Sequence, residues 1–437
     1  MSADRRAVPP VAAPPRPPAP PIVLPRAAAT PSTRPTGKPG LALALIIAVS
    51  AAVHTALAWA RATPNYFPDE YIYSELGRSL AETGRPLVRG AGPFFAPIVH
   101  PLVTWPAWLV DDVATAYRAM QAIDALAMSL AAIPVYLIAR RLGLRTGLSL
   151  ACAALAVALP DLLYSSWLVS ETVAYPLALA ALAAALAVFD RPTLRRQATF
   201  LAFAGLATGA RLQLAAIPLC FLVAALVVGV RERRFRRLIR EQWLAFGVPL
   251  AGLAVVLAVG LQGQFGYYAS FTEVQIGAGG VLESFGAHAL VLTYASGFVL
   301  VPGAVLGLAL AFVRPRSSVE LAFGALVTSF GAAMLLEATL YGDTEQMQQR
   351  YLIYCLPLLA LAFAVYTERG WTLRRIYVGL AGVVAASASL VPLAGYAAAN
   401  GPAHSLVLLA VRQLERTLGD VGLASLVIAL TATSLSL

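Results

Sequence analysis

Apolar residues run through this chain in unbroken blocks, beginning with LALALIIAVSAAVHTALAWA at 41–60, and at least nine such blocks stand out. A helix of about 20 apolar residues crosses a hydrocarbon core about 30 Å thick. Barrel strands would alternate apolar and polar positions over about ten residues, and these blocks do not alternate. The pattern predicts an all-α polytopic membrane bundle of eleven or twelve spans.

Spans are expected near 41–60, 115–139, 146–160, 172–189, 198–210, 212–230, 244–262, 289–313, 319–339, 351–366 and 376–395. A last apolar stretch, 421–437, either crosses or does not, and the sequence leaves open whether Leu437 is the native end. The connections 61–114, 161–171, 263–288 and 396–418 then share one face, the external one. Residues 1–40 hold 12 of the 30 prolines and few large apolar side chains. Such a segment cannot bury a core, so it reads as a disordered cytoplasmic tail ahead of one membrane domain, 41–437. No internal repeat is visible, although inverted-repeat transporters often show one.

Composition agrees: 59% of the 437 residues are apolar, 12% are charged, and the mean hydropathy is +0.74. The net charge of +10 raises nucleic-acid binding, but its placement argues against it. The tail and the turns at Arg140–Arg145, Arg191–Arg196, Arg231–Arg240, Arg314–Arg316 and Arg369–Arg375 hold 23 of 32 basic residues, all on one face of an alternating chain. That is the positive-inside pattern of a multi-pass plasma-membrane protein with a cytoplasmic N-terminus. Cys152, Cys220 and Cys355 lie inside apolar blocks and read as small buried hydrophobes.

The first external loop opens with PNYFPDEYIYSELGRSLAETGRP. Over 69–83, Ile72, Leu76 and Leu80 form one stripe and Glu75, Arg78 and Glu82 the opposite one. Gly84 and Pro86 then stop the helix, which predicts an amphipathic helix at the membrane surface. A second such helix is expected over 101–112, where Trp105 and Trp108 suit an interface. Two readings of Asp69 and Glu70 stand. They cap the helix and complement its dipole, or Asp69 is a general base facing a membrane-embedded cavity.

An Asp-Glu pair just after the first span, followed by a surface helix with Tyr73 and a Gly stop, resembles the GT-C superfamily. These are membrane glycosyltransferases that use polyprenyl-phosphate sugars, among them protein O-mannosyltransferases and aminoarabinose transferases. The resemblance covers about residues 41–370. It implies inverting transfer of a sugar from a polyprenyl-phosphate donor to the hydroxyl of a glycan, lipid or protein at the extracytoplasmic face. It places the base on Asp69, with Glu70 beside it. Membrane lipids and the lipid-linked donor are the implied partners, and no other cofactor is implied with certainty.

A phosphate leaving group needs no proton donor but does need positive charge. Arg211 and Arg350 both sit at external ends of spans, against the positive-inside trend, and Arg350-Tyr351 before an apolar run and Pro357 resembles a late element of several GT-C proteins. The alternative is that they snorkel to lipid headgroups. The resemblance implies that Glu171, an acidic residue in the second external loop, helps bind the acceptor or a divalent metal; otherwise it is a first-turn residue behind a Ser170 cap. Asp161 lies nearby. No D-x-D motif is present, so a divalent metal is possible without being supported, and no metal ligands are assigned. His100 is a candidate sugar or phosphate contact, and Tyr267 and Tyr268 offer aromatic faces in a glycine-rich loop able to close over a donor. Asp124 and Glu337, within spans, are expected to face the bundle interior. A transporter or flippase of lipid-linked sugars is the competing class, and a non-catalytic envelope scaffold a third.

Overall fold

The computed structural model describes residues 38–61, 68–92, 97–259, 278–342, 347–390, 405–414 and 416–419. The stretch 421–437, Tyr267, Tyr268 and nearly all of the tail expected at 1–40 lie outside them. Every named element is helical. In chain order these are α1 (Lys38–Trp59), α2 (Pro68–Thr83), α3 (Val99–Thr104), α4 (Val113–Ser129), α5 (Ala132–Arg141), α6 (Thr146–Ala156), α7 (Glu171–Asp190) and α8 (Leu194–Ala210). There follow α9 (Ala216–Arg231), α10 (Phe235–Glu241), α11 (Trp243–Val259), α12 (Ala278–Ala295), α13 (Leu300–Val313), α14 (Ser318–Tyr341), α15 (Cys355–Glu368) and α16 (Arg374–Leu390).

Each of the eleven expected spans holds a helix. Among the described residues, five helical stretches are long and apolar enough to cross a membrane, and eight if each sharply bent pair counts as one span. Turns divide several of the apolar blocks, so some of the expected spans are built from two shorter helices among the described residues. The block read as one span over 289–313 bends by 104° between α12 and α13, where Gly297 (φ +71°) and Phe298 (φ +35°) leave helical geometry. The loop expected over 263–288 is already helical from Ala278. The external connection 161–171 is a buried 3₁₀ turn, Pro160–Ser166. The second surface helix, expected over 101–112, is α3 running into a 3₁₀ turn, Trp105–Leu109, with Pro106 at its start.

Helix α7 is the centre of the bundle. Ala174, Ala178, Ala181 and Ala185 are fully buried along one face, Leu179, Leu182, Leu186 and Val188 are buried on others, and α4, α5, α8 and α14 pack against it. Helix α1 lies at the edge. Its Leu41, Leu45, Val49, Val53 and Leu57 recur every fourth residue and stay exposed as an apolar stripe suited to lipid. The inner face of α1 is tied down by a serine. Ser50 Oγ donates to Val157 O at 3.0 Å and lies 2.9 Å from Ser129 Oγ, which satisfies polar groups inside an apolar medium.

Helices α13 and α15 cross so closely that a Cβ on Gly307 would collide with the carbonyl of Ala362. Gly331, in α14, has open space in the same position. Gly307→Ala is therefore expected to destabilise the bundle by about 1–3 kcal/mol through overpacking. Gly331→Ala should be neutral or stabilising, because Ala is the better helix former. Thermal unfolding of the two variants in detergent checks the contrast.

Candidate active site

Four charged side chains distant in sequence meet at one end of the bundle. Asp69 comes from the first turn of α2, Glu171 from the first turn of α7, Arg211 from the end of α8, and Arg350 from the 3₁₀ turn Gln349–Tyr351 that precedes α15. Arg350 Nη1 lies 3.0 Å from Asp69 Oδ2 and 3.5 Å from Glu171 Oε1. Arg211 Nη1 lies 2.5 Å from the same Glu171 oxygen. Tyr351 places its ring under both cations, 4.7 Å from the Arg211 guanidinium carbon and 5.7 Å from that of Arg350.

Glu171 is completely buried, whereas Asp69 keeps 24% of its side-chain surface exposed. The buried carboxylate holds two arginines and the open one receives the end of one of them. Burial pulls the Arg350 proton affinity down, but the carboxylates of Glu171 and Asp69 reverse this and raise it above the ordinary guanidinium range. Ser170 makes no capping bond to the backbone of α7; its hydroxyl turns to Glu171 Oε2 at 3.4 Å. Glu337 lies within electrostatic reach of Arg211. The hydroxyls of Tyr164 and Tyr354, within reach of both arginines and Glu171, are buried and have no hydrogen-bond partner among the described residues.

Glu70 and His100 go elsewhere. Consecutive helical residues point about 100° apart, so Glu70 cannot share the direction of Asp69. Its buried carboxylate sits 3.0 Å from Arg61 and accepts from Tyr117 Oη at 3.1 Å. Burial pushes this carboxyl above the usual range, opposed by Arg61 and Tyr117. Arg61 also donates to Ser166 O at 2.8 Å, tying α2 to the turn before α7. Tyr73 is buried edge-on against His100, with ring centroids 5.1 Å apart. His100, with no exposure, meets Asp124 at 3.0 Å, and Thr172 donates to that carboxylate at 2.7 Å. Asp124 thus has its partners inside the bundle. These residues brace the starts of α2 and α7 and do not join the four-charge cluster.

Sequence reasoning passed over Gln349. Its side chain, 1% exposed, donates through Nε2 to Asp161 Oδ1 at 2.6 Å. Its Oε1 accepts from Ser405 Oγ at 2.6 Å and from Val407 N at 3.0 Å. One residue earlier, Gln348 N donates to His288 Nε2 at 3.0 Å. The turn that aims Arg350 is thus held from three directions. The available signal was a run of polar residues, Gln348-Gln349-Arg350, at the head of an apolar block. Among the described residues no group of three His, Cys, Asp or Glu side chains is placed to hold a metal.

No sequence-family profile and no curated protein matches this chain. Solved structures do. ArnT from Cupriavidus metallidurans bound to undecaprenyl phosphate is 18% identical, with a TM-score of 0.52 over 90% of this chain and 76% of ArnT. Its apo form gives the same TM-score at 16% identity, over 91% of this chain and 76% of that one. The archaeal oligosaccharyltransferase AglB from Archaeoglobus fulgidus, in complex with an inhibitory peptide and a dolichol-phosphate, is 15% identical with a TM-score of 0.50. That match covers 90% of this chain and 56% of AglB, so the chain spans little more than half of that protein. The chain shares the fold of ArnT and AglB.

Removing one partner from the buried His100–Asp124 pair leaves the other unsatisfied. His100→Ala is expected to cost about 1–3 kcal/mol of stability, read as a lower unfolding temperature. Gln349→Ala should lower it by a comparable amount, because the Asp161 and Ser405 groups both lose their partner.

Proposed function

We propose that this protein transfers a sugar from a polyprenyl-phosphate donor to an acceptor hydroxyl at the extracytoplasmic face of the plasma membrane. The observation that carries the proposal is the 3.0 Å contact between Asp69 and Arg350, across 281 residues of chain. It sets an accessible carboxylate beside a guanidinium that a second arginine, Arg211, reinforces through Glu171. A base for a hydroxyl and a cationic seat for a phosphate are the two groups this reaction requires. The fold shared with a protein captured with undecaprenyl phosphate and another captured with dolichol-phosphate supports the donor class.

In this reading the acceptor oxygen attacks the anomeric carbon as its proton passes to the Asp69 carboxylate. The bond from the anomeric carbon to the phosphate oxygen breaks, and its electron pair leaves with the polyprenyl phosphate. A single displacement of this kind inverts the anomeric centre. Arg350 and Arg211, 12% and 11% exposed, take the developing phosphate charge where partial burial strengthens charge-assisted bonds. Glu171 stays ionised between the two guanidiniums and fixes their spacing. Tyr351 provides a flat face beneath them. Glu70 acts at a distance, through the anchoring of α2.

The test is incubation of the purified protein, in vesicles, with a panel of labelled polyprenyl-phosphate sugars and candidate acceptors. Asp69→Asn is expected to lower turnover by about 10²–10⁴-fold, the usual contribution of a general base, while leaving folding and donor retention intact. Arg350→Lys should also fail, because an ammonium on a shorter stem loses the Nε–H contact to Gln348 Oε1 and the guanidinium plane beside the Tyr351 ring. Undiminished transfer by Asp69→Asn would rule the base out. Donor-lipid movement across the vesicle without any acceptor would instead favour a flippase.

A further inference from the structure

The opposite end of the bundle carries a charged feature that the transfer reaction does not use. Helix α14 has 24 residues and so runs about 36 Å, with Glu337 near the candidate active site and Glu320 at the far end. Beside Glu320 a cavity of about 320 Å³ opens where α13 and α15 end and the chain turns into α16. Leu310, Val313 and Leu373 form its apolar wall, and Arg314, Arg316 and Arg369 supply its charge. Among the described residues no carboxylate lines it.

The three arginines are not equivalent. Arg369 is 8% exposed; it pairs with Glu320 and donates through Nη1 to Arg314 O at 2.8 Å, yet its Nε is buried with no partner among the described residues. Arg314 and Arg316 are exposed, and their guanidiniums enter no ion pair among the described residues. The turn that closes the cavity is strained. Gly370, Trp371 and Leu373 all lie in the left-handed region, at φ +77°, +56° and +61°. Non-glycine residues hold that conformation only where their surroundings enforce it. Trp371 packs against Phe363, Tyr366 and Tyr377, an aromatic group suited to the level of lipid headgroups.

Two unpaired guanidiniums, an unsatisfied buried N–H and an exposed apolar wall call for a ligand that is both anionic and greasy. The N-terminal tail is a poor occupant, since five arginines stand against one aspartate over residues 1–37. We propose that the cavity seats an anionic phospholipid, with its phosphate among Arg314, Arg316 and the Nε of Arg369 and its acyl chains along Val313 and Leu373. Arginine forks match phosphate geometry, and basic pockets between spans take acidic headgroups.

Native mass spectrometry of the full-length detergent-solubilised protein tests this, with phosphatidylglycerol and phosphatidylcholine of matched acyl chains. Phosphatidylglycerol should be retained over phosphatidylcholine, and Arg314→Ala/Arg316→Ala should weaken it about thirty-fold, at about 1 kcal/mol per arginine. Thr372→Trp, which fills the cavity without changing charge, should abolish the preference. Equal retention of the two lipids by the unmodified protein would overturn the proposal. So would a preference that survives both variants, or displacement of the lipid by inorganic phosphate at equal concentration, which would mark a free-phosphate site.

Discussion

A carboxylate with no exposure, at the edge of an apolar bundle, has to find cations. Glu171 finds two, at 2.5 and 3.5 Å, and much of the candidate active site follows from that need. A single arginine would neutralise the buried charge. The second extends past it, reaching Asp69 on a different segment. Four charges cancel as a set, so the cluster persists where an isolated ion would be expelled or neutralised. The arrangement still keeps one carboxylate within reach of solvent.

Rigid supports surround the cluster. Each has the same form: a buried polar side chain that satisfies groups from separate segments. Glu70 joins α2 to Arg61 and α4. His100 and Asp124 join α3, α4 and α7. Gln349 joins the turn before α15 to the 3₁₀ turn at Asp161 and to the segment that follows Ser405. Preorganisation of this kind lets charges act on a reacting group without first rearranging.

The two ends of the bundle handle charge differently. At the Asp69 end, arginines are consumed by carboxylates that the chain itself supplies. At the other end, basic residues outnumber acidic ones, and Glu320 and Glu232 satisfy only part of the arginine surface. The first pattern fixes both guanidiniums in place. The second suits contact with a charged lipid surface. Helix α14 carries an acidic residue toward each end, and so belongs to both.

The all-helical membrane fold was legible in the linear sequence, because burying a backbone in hydrocarbon demands internal hydrogen bonds and about 20 apolar residues per crossing. So were Asp69, Glu171, Arg211 and Arg350 as exceptional residues, since a charge beside an apolar block is conspicuous whatever it touches. Their convergence was not legible, because Asp69 and Arg350 lie 281 positions apart and neither carries any mark of the other. Periodicity also left open which member of Asp69-Glu70 faces Arg350, and whether His100 joins them or pairs with Asp124. The bends between α12 and α13 and around Pro160 were hidden for a similar reason, since hydropathy records how apolar a segment is and not its direction. Composition determined the solvent in which the chain folds. Only packing in three dimensions decided which charges that solvent forced together.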